Sequence, residues 1–121
     1  MAEHNELGKA GETLAIKYLK DKGYEILHTN WRHLNFEIDI IAKKNNVISV
    51  VEVKARRTNF FGEPEEFVNK TKQKFLIKAA DAFVMKNDIQ QEIRFDIISI
   101  LFNNKKQVVN FIEDAFYPTL K

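Results

Sequence analysis

The chain contains no cysteine. A disulfide framework and a thiolate metal site are both excluded, and a reducing, cytoplasmic setting is expected. Runs long and apolar enough to span a bilayer are missing too. The opening "MAEHNELGKAGE" is polar and acidic, unlike a signal peptide. Charge of one sign is scarce, because the formal net charge is only +2. Binding to a polyanion would therefore need clustered cations. Two clusters exist, Lys54 with Arg56 and Arg57, and Lys70 with Lys72, Lys74 and Lys78.

What is present is a globular composition, 45% hydrophobic and 30% charged over 121 residues. That length suits a single domain spanning residues 1–121. Residues 6–22 place Leu7, Gly11, Leu14, Ala15, Tyr18 and Leu19 on one helical face, and Gly23 suits the helix end. "YEILHTNW", "FEIDIIA" and "VISVVEVKA" read as three strands, the last two joined by the turn signal "KKNN". Residues 55–66, with Gly62 and Pro64, read as a loop. A helical pattern follows from about Val68 to Met85, then strands at "EIRFDIISILF" and "VVNFIE". The order α-β-β-β-α-β-β predicts an α/β fold, a mixed sheet flanked by helices.

The third strand carries Glu52 and Lys54 in an otherwise apolar run. With Asn45-Asn46 as a two-residue hairpin turn, Ile40 lies opposite Val51 and Ile41 opposite Val50. Continued outward, the register sets Ile38 against Val53, Asp39 against Glu52, and Glu37 against Lys54. Strict alternation puts Phe36, Ile38 and Ile40 on one face and Glu37, Asp39 and Ile41 on the other. Apolar residues on both faces imply a strand pair covered on both sides. Opposed carboxylates there repel, and burial raises the cost, so a compensating charge is required. Lys54 is one such charge and a divalent cation would be another. The plainer alternative is a wet sheet end or a protected edge strand.

Mg²⁺ takes one or two carboxylates together with water and phosphate oxygens, which Asp39 and Glu52 could supply in part. Lys54, two residues beyond Glu52, could orient an attacking water or neutralise developing charge. Phosphodiester hydrolysis needs those parts and no Ser or Cys nucleophile.

"EID" followed by "VEVK" resembles the motif of the PD-(D/E)XK nucleases, the restriction endonuclease-like superfamily. Within it, the ordered series "GETLAIKYLKDKGYEIL", "NWR", "FEIDIIA", "VVEVKAR", "FFGEP", "KQKFLIKAA", "RFDII" and "FIEDAF" looks like the YraN-like family of bacterial endonuclease-like proteins. The likeness runs from about Gly8 to Phe116. It implies a restriction endonuclease-like core and Mg²⁺- or Mn²⁺-dependent action on nucleic acid, by analogy with archaeal Holliday junction resolvases. Carried over by position, Asp39 and Glu52 match the metal-binding acids, Lys54 the motif lysine, and Glu12 the acid of the first helix. Glu37 matches the acid of the family's usual "GEID", and Lys72 a helical position that contributes to the site in some relatives. One departure stands out, because Phe36 occupies the place of the family's Gly. The expected substrate is DNA, branched or damaged. A homodimer follows by the same analogy, although the sequence carries no diagnostic dimer patch. The alternatives are a non-catalytic nucleic-acid-binding module and a scaffold whose acids are structural.

Other candidates have plainer readings beside the functional one. Arg56 and Arg57 either hold phosphates through their forked guanidinium groups or are ordinary surface charges. Phe60 and Phe61 are either a stacking platform or a plug anchoring a loop. Trp31 and Phe36 read as core. His4, His28 and His33 lack regular metal-ligand spacing. Arg94 and Asp96 read as a structural pair.

Overall fold

The computed structural model describes residues 2–57, 68–103 and 106–118, with side chains from Glu6 onward. Phe60, Phe61, Gly62 and Pro64, expected in a loop, lie outside the described residues. The elements are α1 (Ala2–Asp21), β1 (Glu25–His33), β2 (Phe36–Lys44), β3 (Val47–Arg56), α2 (Lys70–Asn87), β4 (Glu92–Phe102) and β5 (Gln107–Phe116). The fold is α/β in the expected order. Five strands form one mixed sheet in the order β1-β2-β3-β4-β5. Among the described residues only β3 and β4 run parallel, and α2 is the crossover such a pair needs. No helix among the described residues is long and apolar enough to cross a membrane.

The helices cover opposite faces of the sheet. On one face, Ala15 and Leu19 of α1 bury Ile40, Val51, Ile98 and Ile100. On the other, Leu76, Ala79, Ala80 and Phe83 of α2 bury Ile38, Ile41, Ile48, Val50 and Ile97. The central strands are thus covered on both sides, as their two apolar faces implied. Gly11 marks a close approach of α1 to β3. A Cβ built there would stand 2.6 Å from the Ala55 Cβ, too close for real atoms. Gly11→Ala should therefore overpack this contact and lower stability by about 1–3 kcal/mol, read from urea unfolding. A midpoint equal to wild type would show that α1 docks more loosely.

Asn45 and Asn46 both have positive φ, +52° and +66°, so the hairpin turn is the two-residue type their side chains tolerate. The β2–β3 ladder then runs from Lys44↔Val47 to Ile40↔Val51, in the expected register. Its outer half is a correction. The pairs Ile38–Val53, Asp39–Glu52 and Glu37–Lys54 do not form backbone ladder partners. The Val53 N–H instead donates to Asp39 Oδ2 at 2.8 Å. Phe36, Ile38 and Ile40 do not share a face either, since Ile38 and Phe36 join the α2-side core and Ile40 the α1-side core. The neighbouring strand is irregular at the same point. Asn30, between the pairs Thr29↔Ile40 and Trp31↔Ile38, has φ +52°. A left-handed residue interrupts the pleat, so the rule of alternating faces fails across it.

At the turn end of the sheet, Asp96 is fully buried and fully engaged. It accepts from Arg94 Nε at 2.9 Å, from the Asp114 N–H at 2.8 Å and from the Ser49 hydroxyl. Arg94 also donates to the Tyr24 hydroxyl. The expected Arg94–Asp96 pair is thus present, tying β4 to β3 and β5.

Candidate active site

The paired register of β2 and β3 ends at Ile40 and Val51, and beyond it a backbone-to-side-chain bond replaces the ladder. Asp39 accepts that bond. On the α1 side, a cleft of about 480 Å³ is lined by Glu12, Asn30, Glu37, Asp39, Lys54 and Lys9, among others. On the α2 side, a smaller cavity of about 180 Å³ is lined by Phe36, Glu37, Asp39, Lys72 and Phe75, among others. Asp39 and Glu37 line both.

Glu52 is buried, 4% exposed, on the α2 side of β3. Its Oε2 lies 3.7 Å from Lys54 Nζ and 3.4 Å from Lys72 Nζ. The two lysines line different cavities and converge on one oxygen. Lys72 owes its place to the start of α2, where Asn69 caps the helix by accepting from the Lys72 N–H at 2.9 Å. The other carboxylate oxygen of Glu52, Oε1, is buried without a hydrogen-bond partner among the described residues. Such an orphan is costly in a folded protein and calls for an explanation. A hard cation drawing on carboxylate oxygens fits this atom and this donor set.

Asp39 is partly buried. Burial first, and then the charge of Glu52, push its carboxyl up to about 7 from an ordinary 3.8. The Val53 N–H and the Lys72 charge act in the opposite direction, and Glu37 adds a further push upward. Glu52 is therefore near enough to Asp39 to repel it, despite the missing ladder pair. One orphaned acid oxygen beside an acid reluctant to ionise is an arrangement that a divalent cation would relieve.

Glu12 projects from α1 into the larger cleft, where its Oε2 accepts from Asn30 Nδ2 at 2.9 Å. Glu37 lies 3.7 Å from Arg32 Nη2 at the outer rim. Among the described residues, no three His, Cys, Asp or Glu side chains converge as a ready-made cation shell. His28 packs edge-on against Phe83 and His33 stacks on Trp31. Arg56 closes β3 and Arg57 follows it at the surface. The second lysine cluster divides. Lys72 reaches the acids, whereas Lys70, Lys74 and Lys78 line a separate groove with Gln73 and Tyr117.

Asn30 is the site residue that sequence reading missed. It lines the cleft, holds Glu12 and interrupts the pleat beside Asp39. A signal existed, since asparagine is poor in strand interiors and tolerates left-handed backbone.

The model of the uncharacterised protein family UPF0102 matches residues 11–100. The chain belongs to this family. A UPF0102 protein of Flavobacterium psychrophilum is 50% identical over 117 residues, covering 97% of this chain and 98% of the relative. A UPF0102 protein of Bacteroides thetaiotaomicron is 48% identical over 120 residues, covering 99% of each chain. Another, from Christiangramia forsetii, is 47% identical over 117 residues, covering 97% and 98%. These matches bear out the family likeness drawn from the motif series. The match to UPF0102 takes in Glu12, Asn30, Glu37, Asp39, Glu52, Lys54 and Lys72.

Proposed function

We propose that the protein is a divalent-cation-dependent endonuclease that hydrolyses DNA phosphodiester bonds, on branched or damaged DNA. The observation that carries this reading is the buried Oε1 of Glu52, without a hydrogen-bond partner among the described residues, with two lysines at the opposite oxygen and a charge that raises the Asp39 carboxyl. The likeness of "EID" and "VEVK" to the PD-(D/E)XK motif supports the same chemistry.

In this reading Asp39 and Glu52 hold the cation, with Glu12 approaching from α1 through the shared cleft. Bound Mg²⁺ or Mn²⁺ would lower the pKa of a water and neutralise charge at the phosphoryl group. Lys54 orients the attacking water from the larger cleft, or offsets the negative charge that develops in the transition state. Lys72 places a second positive charge on the opposite side of Glu52. Arg56 and Arg57 lie where β3 leads away from the acids and serve to hold the phosphate backbone.

The test is a cleavage panel with Mg²⁺ and Mn²⁺ over linear, single-stranded, flapped and four-way DNA, with Glu52→Ala as control. Cation-dependent cutting by wild type that the control lacks is the expected result. Salt-dependent DNA binding with no cutting would replace the nuclease with a non-catalytic binding module.

A further inference from the structure

We infer that Phe75, braced by Phe36, forms a platform on which a nucleobase next to the reacting phosphate stacks. The inference rests on the proposed nucleic-acid substrate and names a specific contact for it.

Phe75 lies on α2 one turn after Lys72 and is 45% exposed. Among the exposed large apolar side chains of the described residues, Phe75 is the one that lines a cavity shared with Asp39. Its ring lies 5.1 Å from that of Phe36, tilted by 32°. Phe36 is itself packed on the α2-side core, so the pair has one anchored ring and one presented ring. A braced ring loses little freedom when a ligand stacks on it.

The surroundings state which ligand suits it. The cavity that Phe36 and Phe75 line is also lined by Asp39 and Lys72. Lys72 Nζ is 3.4 Å from Glu52. Within one wall of about 180 Å³ the chain therefore offers a π-face, an ammonium and a site acid. A nucleotide has the complementary parts, a flat base for the ring and a phosphate for the cation. Stacking tolerates any base, because every base has a π-face.

The test measures binding in EDTA, so that no cleavage intrudes. The probes are single-stranded oligonucleotides carrying 2-aminopurine at successive positions, and a counterpart with an abasic position. Wild type should quench 2-aminopurine at one position and bind the abasic counterpart at that position more weakly. Phe75→Ala should weaken binding roughly 5- to 150-fold, the range that stacking of a single base spans. Phe75→Trp should keep both affinity and quenching. Phe75→Leu should lose both, which separates stacking from plain apolar contact. Thermal melts should show each variant fully folded at the assay temperature, with Phe75→Ala lowered modestly by loss of its contact with Phe36. Equal binding by Phe75→Leu and wild type, or no quenching at any position, would overturn the inference. Phe75-dependent binding by a protein that cuts nothing would uphold the platform while removing the nuclease. Cleavage that ignores Phe75→Leu would do the reverse.

Discussion

Lys54→Ala should lower cleavage by roughly 10²–10⁴-fold while leaving much of the cation binding intact, the range of a lost general acid–base or electrostatic contribution. A protonated lysine has donors and no acceptor, so it cannot itself hold a cation. The Lys54 ammonium lies 3.7 Å from Glu52 Oε2, on the larger-cleft side. Lys72 lies 3.4 Å from the same oxygen and remains to offset the charge of Glu52 in the variant. Removing Lys54 should therefore spare the acids and take away the group proposed to orient the attacking water. Single-turnover cleavage at saturating Mg²⁺, beside Mg²⁺ titration of the same variant, measures both parts. Cleavage at the wild-type rate would take Lys54 out of the mechanism. Loss of cation binding in parallel with cleavage would make it a support for Glu52 alone.

Asp39→Asn should abolish tight divalent binding and, without metal, leave the protein as stable as wild type or more so above pH 7. The native carboxyl is raised to about 7 from 3.8, by burial and by Glu52. Between these values the native state binds more protons than the unfolded chain. The contribution of Asp39 to stability is thus complete below about 3.8, declines as pH rises, and is lost above about 7. An amide has no proton to lose and still offers an oxygen to the Val53 N–H. Melting temperatures in EDTA from pH 5 to 9 should show wild type falling relative to Asp39→Asn through pH 7. Mg²⁺ needs the ionised carboxylate, so it should raise the wild-type melting temperature more at pH 8 than at pH 6. A variant that melts lower than wild type at pH 8 in EDTA, with its Mg²⁺ response intact, would mark Asp39 as a structural cap of Val53.

Much of this was legible before any coordinates. The hairpin register followed from Asn45-Asn46 because few residues accept positive φ at two successive positions. The two-sided burial of β3 followed from its nearly unbroken apolar run. Lys72 was singled out through family likeness, since a lysine among four on one helix shows no internal sign of facing an acid. Phe75 falls inside the helical pattern read from Val68 to Met85. Its ring sits at the margin of the contact between α2 and the sheet, where spacing along the chain does not separate buried from rim positions.

The sequence by itself determined the element order, the turn between β2 and β3, and the family to which the chain belongs. Each of these rests on local patterns, or on residue order along the chain. The tertiary structure alone decided that the ladder ends short of Asp39, that Asn30 breaks the pleat, and that Lys54 and Lys72 meet at one oxygen of Glu52. Alternation of faces is a rule for regular backbone, and it does not hold between Ile38 and Ile40, opposite the left-handed Asn30. The meeting at Glu52 depends on how α2 docks across the sheet, a sum over many contacts distant in sequence that no single stretch of chain encodes.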